Sequence, residues 1–574
     1  MADTRAVVDA RLRTAFDTIE EGVDPVLRPS DRADFQANGA LGLAKRLGRN
    51  PRELAEEVIA RAELADICSV VEVSGPGFIN LTLADGFLSA QVAVMAGDDR
   101  LGIEAAPDPS KIVIDYSAPN VAKEMHVGHL RGTVIGDALT RTLAFAGHEV
   151  IRENHVGDWG TPFGMLIEHL VDLGEETAVA ELSVGDLDAF YRDARTAYDA
   201  SPTLQERSRN RVVLLQGGDE DTLRLWRVLV AESVAYFNEV YGKLGVLLED
   251  SDVVGESSYN PMLDAVVEDL GERGLLVEND GALCVFPPGF TNREGEPLPL
   301  IVRKSDGGYG YAATDLAAVR DRVGRLGARR ILYVVGAPQA QHFEMVFAVA
   351  RMAGWLPDDV EAVHVSFANV LGPDHKMLKT RSGSTIKLVE LLDEAVERAE
   401  TAMAERQVDL DPSERAHVAR LLGIGAVKYA DLSTDRTRDY VFDWERMLAF
   451  DGNTAPYLQY AHARIRSIFR RSEIDHVDPA TVPVVTDPFE RALTVALLGF
   501  APALGAMLET YSPSKLCAYL YDLATTFTSF YENTPVLRAP DEATRNSRLL
   551  LAELTARVLA LGLSLLGIGV PDRM

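Results

Sequence analysis

Two histidines one helical turn apart open a helix-like run at residues 126–129 (HVGH). An apolar, β-branched run that ends at Asp115 and a loop with Pro119 precede them, which predicts a strand, a turn and a helix N-terminus. A helix N-terminus presents free backbone N–H groups and the positive end of its dipole, and both attract phosphate. His126 and His129 would share the face that meets this anion, while Gly128 leaves room for a flat base. The alternative is a pair of structural or solvent-facing histidines, which the position after a strand disfavours.

A second cluster of cations lies at residues 375–387 (HKMLKTRSGSTIK). It includes Lys379 and Arg381 beside small polar residues, which is typical of a flexible loop. Such a loop would clamp a triphosphate, because its cations offset charge that develops in a transition state. A solvated surface loop is the alternative interpretation.

A third set consists of Tyr311, Asp315 and Gln339. Tyr311 and Asp315 are four residues apart and would share a helix face. Together with Asp115 and Asn120 they would line an acidic, amide-rich pocket. A guanidinium suits such a pocket because carboxylates pair with it through two hydrogen bonds. Helix capping and surface polarity are the alternative.

A fourth set follows a turn-forming stretch at residues 451–456 (DGNTAP). Tyrosines and arginines at helical spacing can grip phosphates and stack on unpaired bases. An amphipathic core helix with one charged face remains the alternative. The candidate nucleic-acid contacts are Tyr457, Tyr460, Arg464, Arg466 and Arg470.

The surrounding patterns predict an α/β catalytic domain between two smaller domains. Residues 1–105 read as an N-terminal α+β domain. Residues 106–385 read as a Rossmann-like domain with a parallel sheet, interrupted at about 170–300 by an acidic, mostly helical insertion, after which the α/β pattern resumes at 300–304. Residues 386–450 read as a helical connection, and residues 451–574 as an all-α helical bundle. Ligands of such a parallel sheet bind at the carboxyl ends of its strands.

Charge and cysteine content limit the classes of function. The 574 residues carry a formal net charge of −30, which argues against coating DNA but permits a local basic strip that reads one RNA. The three cysteines are far apart in sequence and have neither metal-ligand nor redox spacing, so we expect a reduced, cytoplasmic protein. Charged residues interrupt the most apolar stretch, 549–570, so we expect a core helix there and no membrane contact.

Taken in order, these sets resemble the arginyl-tRNA synthetases of class I. Residues 119–129 (PNVAKEMHVGH) are similar to the extended HIGH region of that family, and residues 379–383 (KTRSG) lie where its KMSKS loop belongs. Residues 75–81 (GPGFINL) resemble the end of its N-terminal domain. Residues 452–466, 530–537 and 565–574 resemble its anticodon-binding domain. The resemblance therefore spans almost the whole chain.

The resemblance implies an arginine–tRNA ligase whose arginine carboxylate attacks the α-phosphate of ATP, after which the arginyl group passes to the 3′ end of tRNA(Arg). ATP would be held by His126, Gly128, His129 and Lys379. Lys123, Lys379 and Arg381 would join the histidines in catalysis by binding phosphate oxygens. Arginine would be held by Asp115, Asn120, Tyr311, Asp315 and Gln339. Mg²⁺ would arrive with ATP without a dedicated protein site, and we expect a monomer.

One departure from the family pattern concerns the KMSKS loop. In the register of KTRSG, the second lysine of that pattern falls on Ser382. The family resemblance implies that a lysine just before the HIGH tetrapeptide compensates, and Lys123 occupies that place. Two other functions stay open: an HxGH-type synthetase for a different amino acid, and a non-catalytic tRNA-binding relative.

Overall fold

The structure is a computed structural model that describes residues 3–175, 177–178, 187–378, 386–406, 410–472, 474, 476–478, 480–485 and 487–574. The chain forms two compact units. The first comprises Met1–Ala105, Phe450–Ser564 and Gly569–Met574, and the second comprises Ala106–Ala449 and Leu565–Ile568.

The N-terminal part of the first unit is an antiparallel four-stranded sheet with helices. The strand order is β1-β2-β4-β3. Helix α1 begins where the side chain of Asp3 accepts the N–H of Ala6, and Val8, Leu12 and Phe16 recur on its buried face. The elements are α1 Thr4–Asp17, β1 Leu27–Pro29, β2 Phe35–Ala37, α2 Gly39–Leu47, α3 Pro51–Arg61, β3 Cys68–Ser74, β4 Phe78–Leu83 and α4 Asp85–Ala96.

The second unit is built on a parallel sheet of four strands in the order β11-β10-β5-β6. Helices cover the sheet, so its inner strand β5 is apolar between its two end residues, with Ile112, Val113 and Ile114 fully buried. The elements are β5 Lys111–Asp115, α5 Val127–Phe145, β6 Glu149–Glu153, α6 Pro162–Leu173, α7 Leu187–Ala200, α8 Pro202–Gln216, α9 Glu220–Leu244, α10 Asn260–Glu272, β7 Val277–Asn279, β8 Ala282–Val285, β9 Leu300–Arg303, α11 Tyr311–Gly324, β10 Arg330–Tyr333, α12 Ala340–Met352, β11 Glu361–His364, β12 Val370–Leu371, α13 Leu388–Glu405, α14 Pro412–Leu432, β13 Tyr440–Val441 and α15 Trp444–Met447.

The segment expected to be an acidic helical insertion is more varied than predicted. Helices α7, α8 and α9 match the expectation, but β7, β8 and β9 form an antiparallel sheet of their own. Strand β9, where we expected the α/β pattern to resume, therefore lies outside the parallel sheet. Its residues alternate between buried and exposed, which is the pattern of an antiparallel strand with one solvated face. Val285 and Val302 pack in the same core cluster as Leu316 and Ile331, so this region belongs to the core of the domain.

The C-terminal part of the first unit is helical. Its helices are α16 Ala455–Ser472, α17 Pro488–Leu498, α18 Phe500–Thr510, α19 Ser514–Asn533 and α20 Glu542–Leu565. Two arginines of this part hold the ends of α4. Arg491 donates to Asp34, Asp85 and the carbonyl of Leu83, while Arg557 donates to the carbonyls of Ala96 and Asp98.

The continuous stretch Pro488–Thr510, which contains α17 and α18, has a mean hydropathy of 1.7 and is 39% buried. By length and composition it could cross a membrane. A single such helix is weak evidence, because core helices of globular proteins have the same properties. The sequence analysis singled out residues 549–570, on and after α20, as the most apolar stretch. The stretch that is long and apolar enough to cross a membrane is instead Pro488–Thr510.

Candidate active site

The order in which the chain adds strands reverses between β5 and β10, since β6 lies on one side of this pair and β11 on the other. Ligands of parallel sheets bind at the carboxyl ends of the strands at such a point. Asp115 is the last residue of β5, and its register partner Tyr333 is the last residue of β10. Both side chains are almost completely buried. The strand order therefore puts a carboxylate and a phenol side by side at the floor of the expected ligand crevice.

The chain runs from Asp115 through a loop into α5, whose N-cap is His126. The N–H of Gly128 donates to Nδ1 of His126 over 3.0 Å, and the N–H of His126 donates to Nδ1 of His129 over 3.1 Å. A ring nitrogen that accepts a hydrogen bond carries no proton in neutral imidazole, so Nε2 carries it on both rings. The ring centroids are 4.1 Å apart. The hydrogen bonds of the helix cap thus leave two neighbouring Nε2–H groups as donors at the N-terminus of α5.

The surroundings of both histidines favour the neutral imidazole. Burial lowers the pKa of His126, and Lys123 lowers it further, although Asp188 acts in the opposite direction. Burial lowers the pKa of His129 to about 3, and the neighbouring His126 ring lowers it further. The pair can therefore donate hydrogen bonds to an anion without carrying a charge of its own.

Gly128 is required by the cap itself. A Cβ at this position would lie 2.8 Å from Cε1 of His126. The predicted role of Gly128 against an adenine base stays a prediction, and the structure adds that any larger residue would displace the His126 ring.

The expected arginine-binding residues lie at the same edge of the sheet. Nε2 of His342, near the start of α12, donates to Oδ2 of Asp315 over 2.5 Å. Burial raises the pKa of Tyr333, Arg322 opposes this shift, and the charges of Asp315 and Asp115 raise the pKa further. Tyr311 begins α11 with 73% of its surface exposed, and Gln339 ends an exposed turn after β10. The predicted arginine-binding role of these residues stays a prediction.

Asn120 lies across the loop from Gly157. The two residues form an isolated parallel bridge, and a Cβ on Gly157 would come within 2.3 Å of Oδ1 of Asn120. The absence of a Cβ on Gly157 therefore leaves the space that the side-chain amide of Asn120 occupies.

The phosphate-binding cations fall partly outside the described residues. Lys123 is exposed, and its Nζ lies 4.8 Å from the centre of the Tyr191 ring. Lys379 and Arg381 lie in 379–385, which the structure does not describe. The two residues that follow this segment both contact residues at or just before the start of α5. The carbonyl of Ile386 accepts the N–H of Val127, and Lys387 forms an ion pair with Glu124 over 2.9 Å. The chain from residue 386 onward is thus joined to residues on both sides of His126.

Three family descriptions match the chain in consecutive stretches. They are "Arginyl tRNA synthetase N terminal domain" at residues 3–83, "tRNA synthetases class I (R), catalytic domain" at 91–444 and "DALR anticodon binding domain" at 458–574. The chain belongs to the class I arginyl-tRNA synthetases.

Individual relatives agree with this family. The chain is 55% identical to the arginine–tRNA ligase of Thermobifida fusca over the whole of both chains, and 50% identical to that of Escherichia coli K12 over 96% of each. The arginyl-tRNA synthetase structure of Plasmodium falciparum matches with a TM-score of 0.86 at 30% identity over 99% of both chains. That of Thermus thermophilus matches at 0.81 and 25% identity over 99% of this chain and all of the other. The predicted fold class is confirmed.

Sequence reasoning missed several charged residues of this arginyl-tRNA synthetase site. Arg322, on α11, donates to Asp115 and to Glu153 at the end of β6. Burial is the main cause that raises the pKa of Glu256 to about 8, and the charges of Asp158 and Asp315 add to it. The position of Glu153 at the end of a strand next to β5 was a usable signal. Nothing in the spacing around Glu256 singles it out.

The residues expected to contact tRNA in this family lie on α16, but several are engaged within the first unit. Arg464 stacks over the Tyr531 ring at 4.4 Å, Arg466 lies 3.5 Å from Asp572, and Arg470 donates to the carbonyl of Asp572. Tyr457 is half-buried, with its hydroxyl 3.3 Å from that of Thr528, whereas Tyr460 is 42% exposed. Among the described residues no group of three or more His, Cys, Asp or Glu side chains is arranged to hold a metal ion.

Proposed function

We propose that this arginine–tRNA ligase forms arginyl-adenylate and transfers the arginyl group to tRNA at the carboxyl ends of β5 and β10. The proposal is supported by the position of two imidazole donors at the start of α5, the helix that follows β5, and of the carboxylates of Asp115 and Glu153 at the ends of β5 and β6. The donors suit the anionic substrate ATP, and the carboxylates suit the cationic substrate arginine.

ATP binds with its α-phosphate at the N-terminus of α5. When the arginine carboxylate attacks, negative charge grows on the phosphate oxygens, and the Nε2–H groups of His126 and His129 stabilise it. Because the backbone holds both Nδ1 atoms, the donors are oriented before the reaction begins. Gly128 lies under the adenine, and Lys123, Lys379 and Arg381 hold the departing pyrophosphate. Mg²⁺ enters with ATP, bound by phosphate oxygens and water.

Arginine binds with its ammonium group near Asp115 and Asn120 and its guanidinium near Tyr311 and Asp315. The hydrogen bond from His342 orients the carboxylate of Asp315. Gln339 supplies an amide at the rim. Glu256 adds to the negative field, and a bound cation would relieve its repulsion with Asp315 and Asp158. These charges favour a side chain that is both cationic and planar.

In the second half-reaction the arginyl group passes to a ribose hydroxyl at the 3′ end of tRNA(Arg). The proposed tRNA contacts are the α16 residues Tyr457, Tyr460, Arg464, Arg466 and Arg470. Support comes from the match of residues 458–574 to an anticodon-binding domain. Because the net charge is −30, such contacts must be local.

We propose that the protein acts as a monomer in the cytoplasm. Cys68, Cys284 and Cys517 are buried thiols, as suits a reducing compartment. The large negative net charge disfavours non-specific self-association. Sedimentation of the purified protein tests the monomer.

Charging of total tRNA with each radiolabelled amino acid in turn tests the function. We expect label in tRNA with arginine alone, and only when ATP and Mg²⁺ are present. Charging with a different amino acid would identify a synthetase of other specificity. Binding of tRNA without any charging would identify a non-catalytic relative.

A further inference from the structure

Two helices of the insertion, α7 and α9, hold the backbone on either side of Lys123. The N–H of Ala122 donates to Oγ of Ser233 on α9 over 2.9 Å, and the N–H of Glu124 donates to Oδ1 of Asp188 on α7 over 3.1 Å. Ala122 and Ser233 are fully buried, and Glu124 is 3% exposed. Side chains of the insertion therefore fix the backbone position from which the side chain of Lys123 extends.

Helix α7 also contacts the end of the Lys123 side chain. Nζ of Lys123 lies 4.8 Å from the centre of the Tyr191 ring, and Tyr191 follows Asp188 by one helical turn. An ammonium group at this distance is attracted by the negative face of an aromatic ring. One face of α7 thus holds both the backbone next to Lys123 and the cation itself.

The opposite contacts of α7 fix this helix within the domain. Leu187, Phe190 and Ala194 recur at helical spacing and are at most 3% exposed. The Phe190 ring packs with its edge towards the His169 ring of α6, and the ring centroids are 5.0 Å apart. Tyr191 therefore projects from a packed helix, which positions a side chain more precisely than a loop does.

The ring of Tyr191 leaves the charge of Lys123 available to a ligand. Within the part of the chain that the structure describes, no carboxylate forms an ion pair with Lys123. A carboxylate would neutralise the ammonium group and occupy its N–H donors, whereas a ring face orients the group and leaves its positive charge in place. Phosphate oxygens can then bind these donors without displacing an acidic side chain.

The charge of Lys123 acts on both histidines at the start of α5. Burial lowers the pKa of His126, Asp188 opposes this shift, and Lys123 adds to it. Burial is also the main cause that lowers the pKa of His129, and Lys123 contributes in the same direction. The ammonium group is therefore close enough to influence the two rings that we propose as donors to the α-phosphate.

We propose that the insertion is part of the ATP site and that Tyr191 is a positioning residue for the ammonium group of Lys123. Tyr191 holds the end of the side chain, while Asp188 and Ser233 hold the adjoining backbone, so the cation is oriented before ATP binds. A preorganised charge needs no reorganisation when the phosphate reacts. The inference rests on the proposed role of Lys123 and goes beyond it, because Tyr191 would act through Lys123 without touching the substrate.

A double-mutant cycle on arginine-dependent pyrophosphate exchange, measured with tRNA present, tests the proposal. Tyr191→Leu removes the ring, and we expect kcat/KM for ATP to fall about threefold to tenfold. Tyr191→Phe keeps the ring face and should stay within about twofold of the unaltered protein. In a Lys123→Met background, which lacks the ammonium group, Tyr191→Leu should have almost no further effect.

Tyr198→Leu is the matched control. Tyr198 lies on the same helix, and its ring makes a similar contact with the guanidinium of Arg195 at 5.6 Å. Because this pair is remote in sequence from Asp188 and Tyr191, we expect kcat/KM for ATP to stay unchanged in this variant.

The outcomes separate the two levels of the proposal. A loss through Tyr191→Leu that disappears in the Lys123→Met background supports the inference. No loss, or a loss of the same size in both backgrounds, overturns it, and so does a gain in kcat/KM, which would mean that the ring competes with ATP for the ammonium group. If Lys123→Met alone leaves exchange unchanged, the proposed role of Lys123 is wrong and the inference falls with it. If Tyr191→Leu does not fold, Tyr191→Gln, which also lacks the ring, decides by the same criterion.

Discussion

The backbone N–H of His126 donates to Nδ1 of His129, so the helix cap determines which nitrogen of the second histidine faces away from the backbone. Glutamine can place an N–H near the Nε2 position, whereas asparagine can only reach the position of Nδ1. We therefore expect His129→Asn to slow arginine-dependent pyrophosphate exchange by about 10²–10³-fold, and His129→Gln to keep about tenfold more activity than His129→Asn. The exchange assay, with tRNA present, measures both.

Binding of labelled tRNA to filters is the control for these variants, and we expect it to stay unchanged in both. If His129→Asn and His129→Gln lost the same activity, the Nε2–H donor would not be the group that matters. A parallel loss of tRNA binding would indicate misfolding.

The pairing of Asp315 with His342 leads to a prediction about arginine specificity. Asp315→Ala removes the proposed charged partner of the substrate guanidinium, a change expected to cost about 2–5 kcal/mol of binding. We expect the KM for arginine to rise accordingly, while the KM for ATP and the thermal unfolding midpoint stay close to their original values. Glu344→Gln, an exposed carboxylate of α12, is the control and should change neither KM. Unaltered arginine kinetics in Asp315→Ala would exclude Asp315 from the pocket.

The strand, the turn and the helix around the histidines could be predicted because local sequence specifies them. Residues 112–114 are β-branched and fully buried, and His126 caps its own helix. The same local reasoning fails for β9, which has the composition of a core strand but pairs with β8 in a separate sheet. Pairing partners are distant in sequence, so a short apolar run does not reveal which sheet it joins.

The positions of Arg322 and Glu256 could not be predicted for a related reason. Arg322 follows Asp315 by seven residues and looks like an ordinary helix-surface cation until the order of β6, β5 and β10 is known. The raised pKa of Glu256 depends on burial beside Asp158 and Asp315, which only the folded chain brings near it. The sequence indicates which polar residues lie at the strand ends. The contacts that orient these side chains and shift their pKa values depend on the tertiary structure.

The raised pKa of Glu256 predicts that arginine binding releases a proton. Burial and the charges of Asp158 and Asp315 raise the pKa of this carboxyl to about 8, and a nearby guanidinium would favour the ionised form. We expect calorimetric enthalpies of arginine binding at pH 7 to depend on the ionisation enthalpy of the buffer, with a sign that indicates proton release. In Glu256→Gln this dependence should largely disappear. Enthalpies independent of the buffer in the unaltered protein would contradict the assignment.

The same group makes stability depend on pH. Between the ordinary glutamate pKa of 4.5 and about pH 8, the unfolded chain has lost this proton while the folded chain still holds it. The free energy of unfolding therefore falls, through Glu256, as pH rises across this window. Glu256→Gln should unfold at a higher temperature than the unaltered protein at pH 8, and the difference should shrink towards pH 5. A difference that is the same at both values would mean that burial does not shift this carboxyl.

Two helical glycines give a matched pair of opposite predictions. A Cβ on Gly136 of α5 would lie 2.3 Å from Cγ of Tyr116, a side chain buried at the end of β5, whereas a Cβ on Gly42 of α2 would meet nothing within 4 Å. We expect Gly136→Ala to destabilise the second unit by about 1–3 kcal/mol, and to slow pyrophosphate exchange, since α5 also carries His126. Gly42→Ala should stabilise the first unit by about 0.5–1 kcal/mol, because alanine is the better helix former. Urea unfolding followed by hydrogen exchange in α2 and α5 measures both.

Arg491 predicts how the N-terminal segment is held within the first unit. Its side chain is 27% exposed and makes two hydrogen bonds to Asp34, of 3.0 and 2.8 Å, besides those to Asp85 and the carbonyl of Leu83. Arg46 pairs with Glu20 at a similar distance, but its side chain is 57% exposed. Charge-assisted bonds shielded from water contribute about 1.5–3 kcal/mol, whereas exposed pairs contribute about 0–1 kcal/mol.

We therefore expect Arg491→Ala to speed hydrogen exchange of the α4 amides by a factor that corresponds to that larger energy, and Arg46→Ala to leave α4 unchanged. Arginine binding should be the same in both variants, since the proposed arginine site lies wholly in the second unit. Because α4 is also held at its other end by Arg557, the double variant with Arg557→Ala should exchange faster still. Exchange in α4 that is equally slow in all three variants would show that apolar packing alone retains this helix.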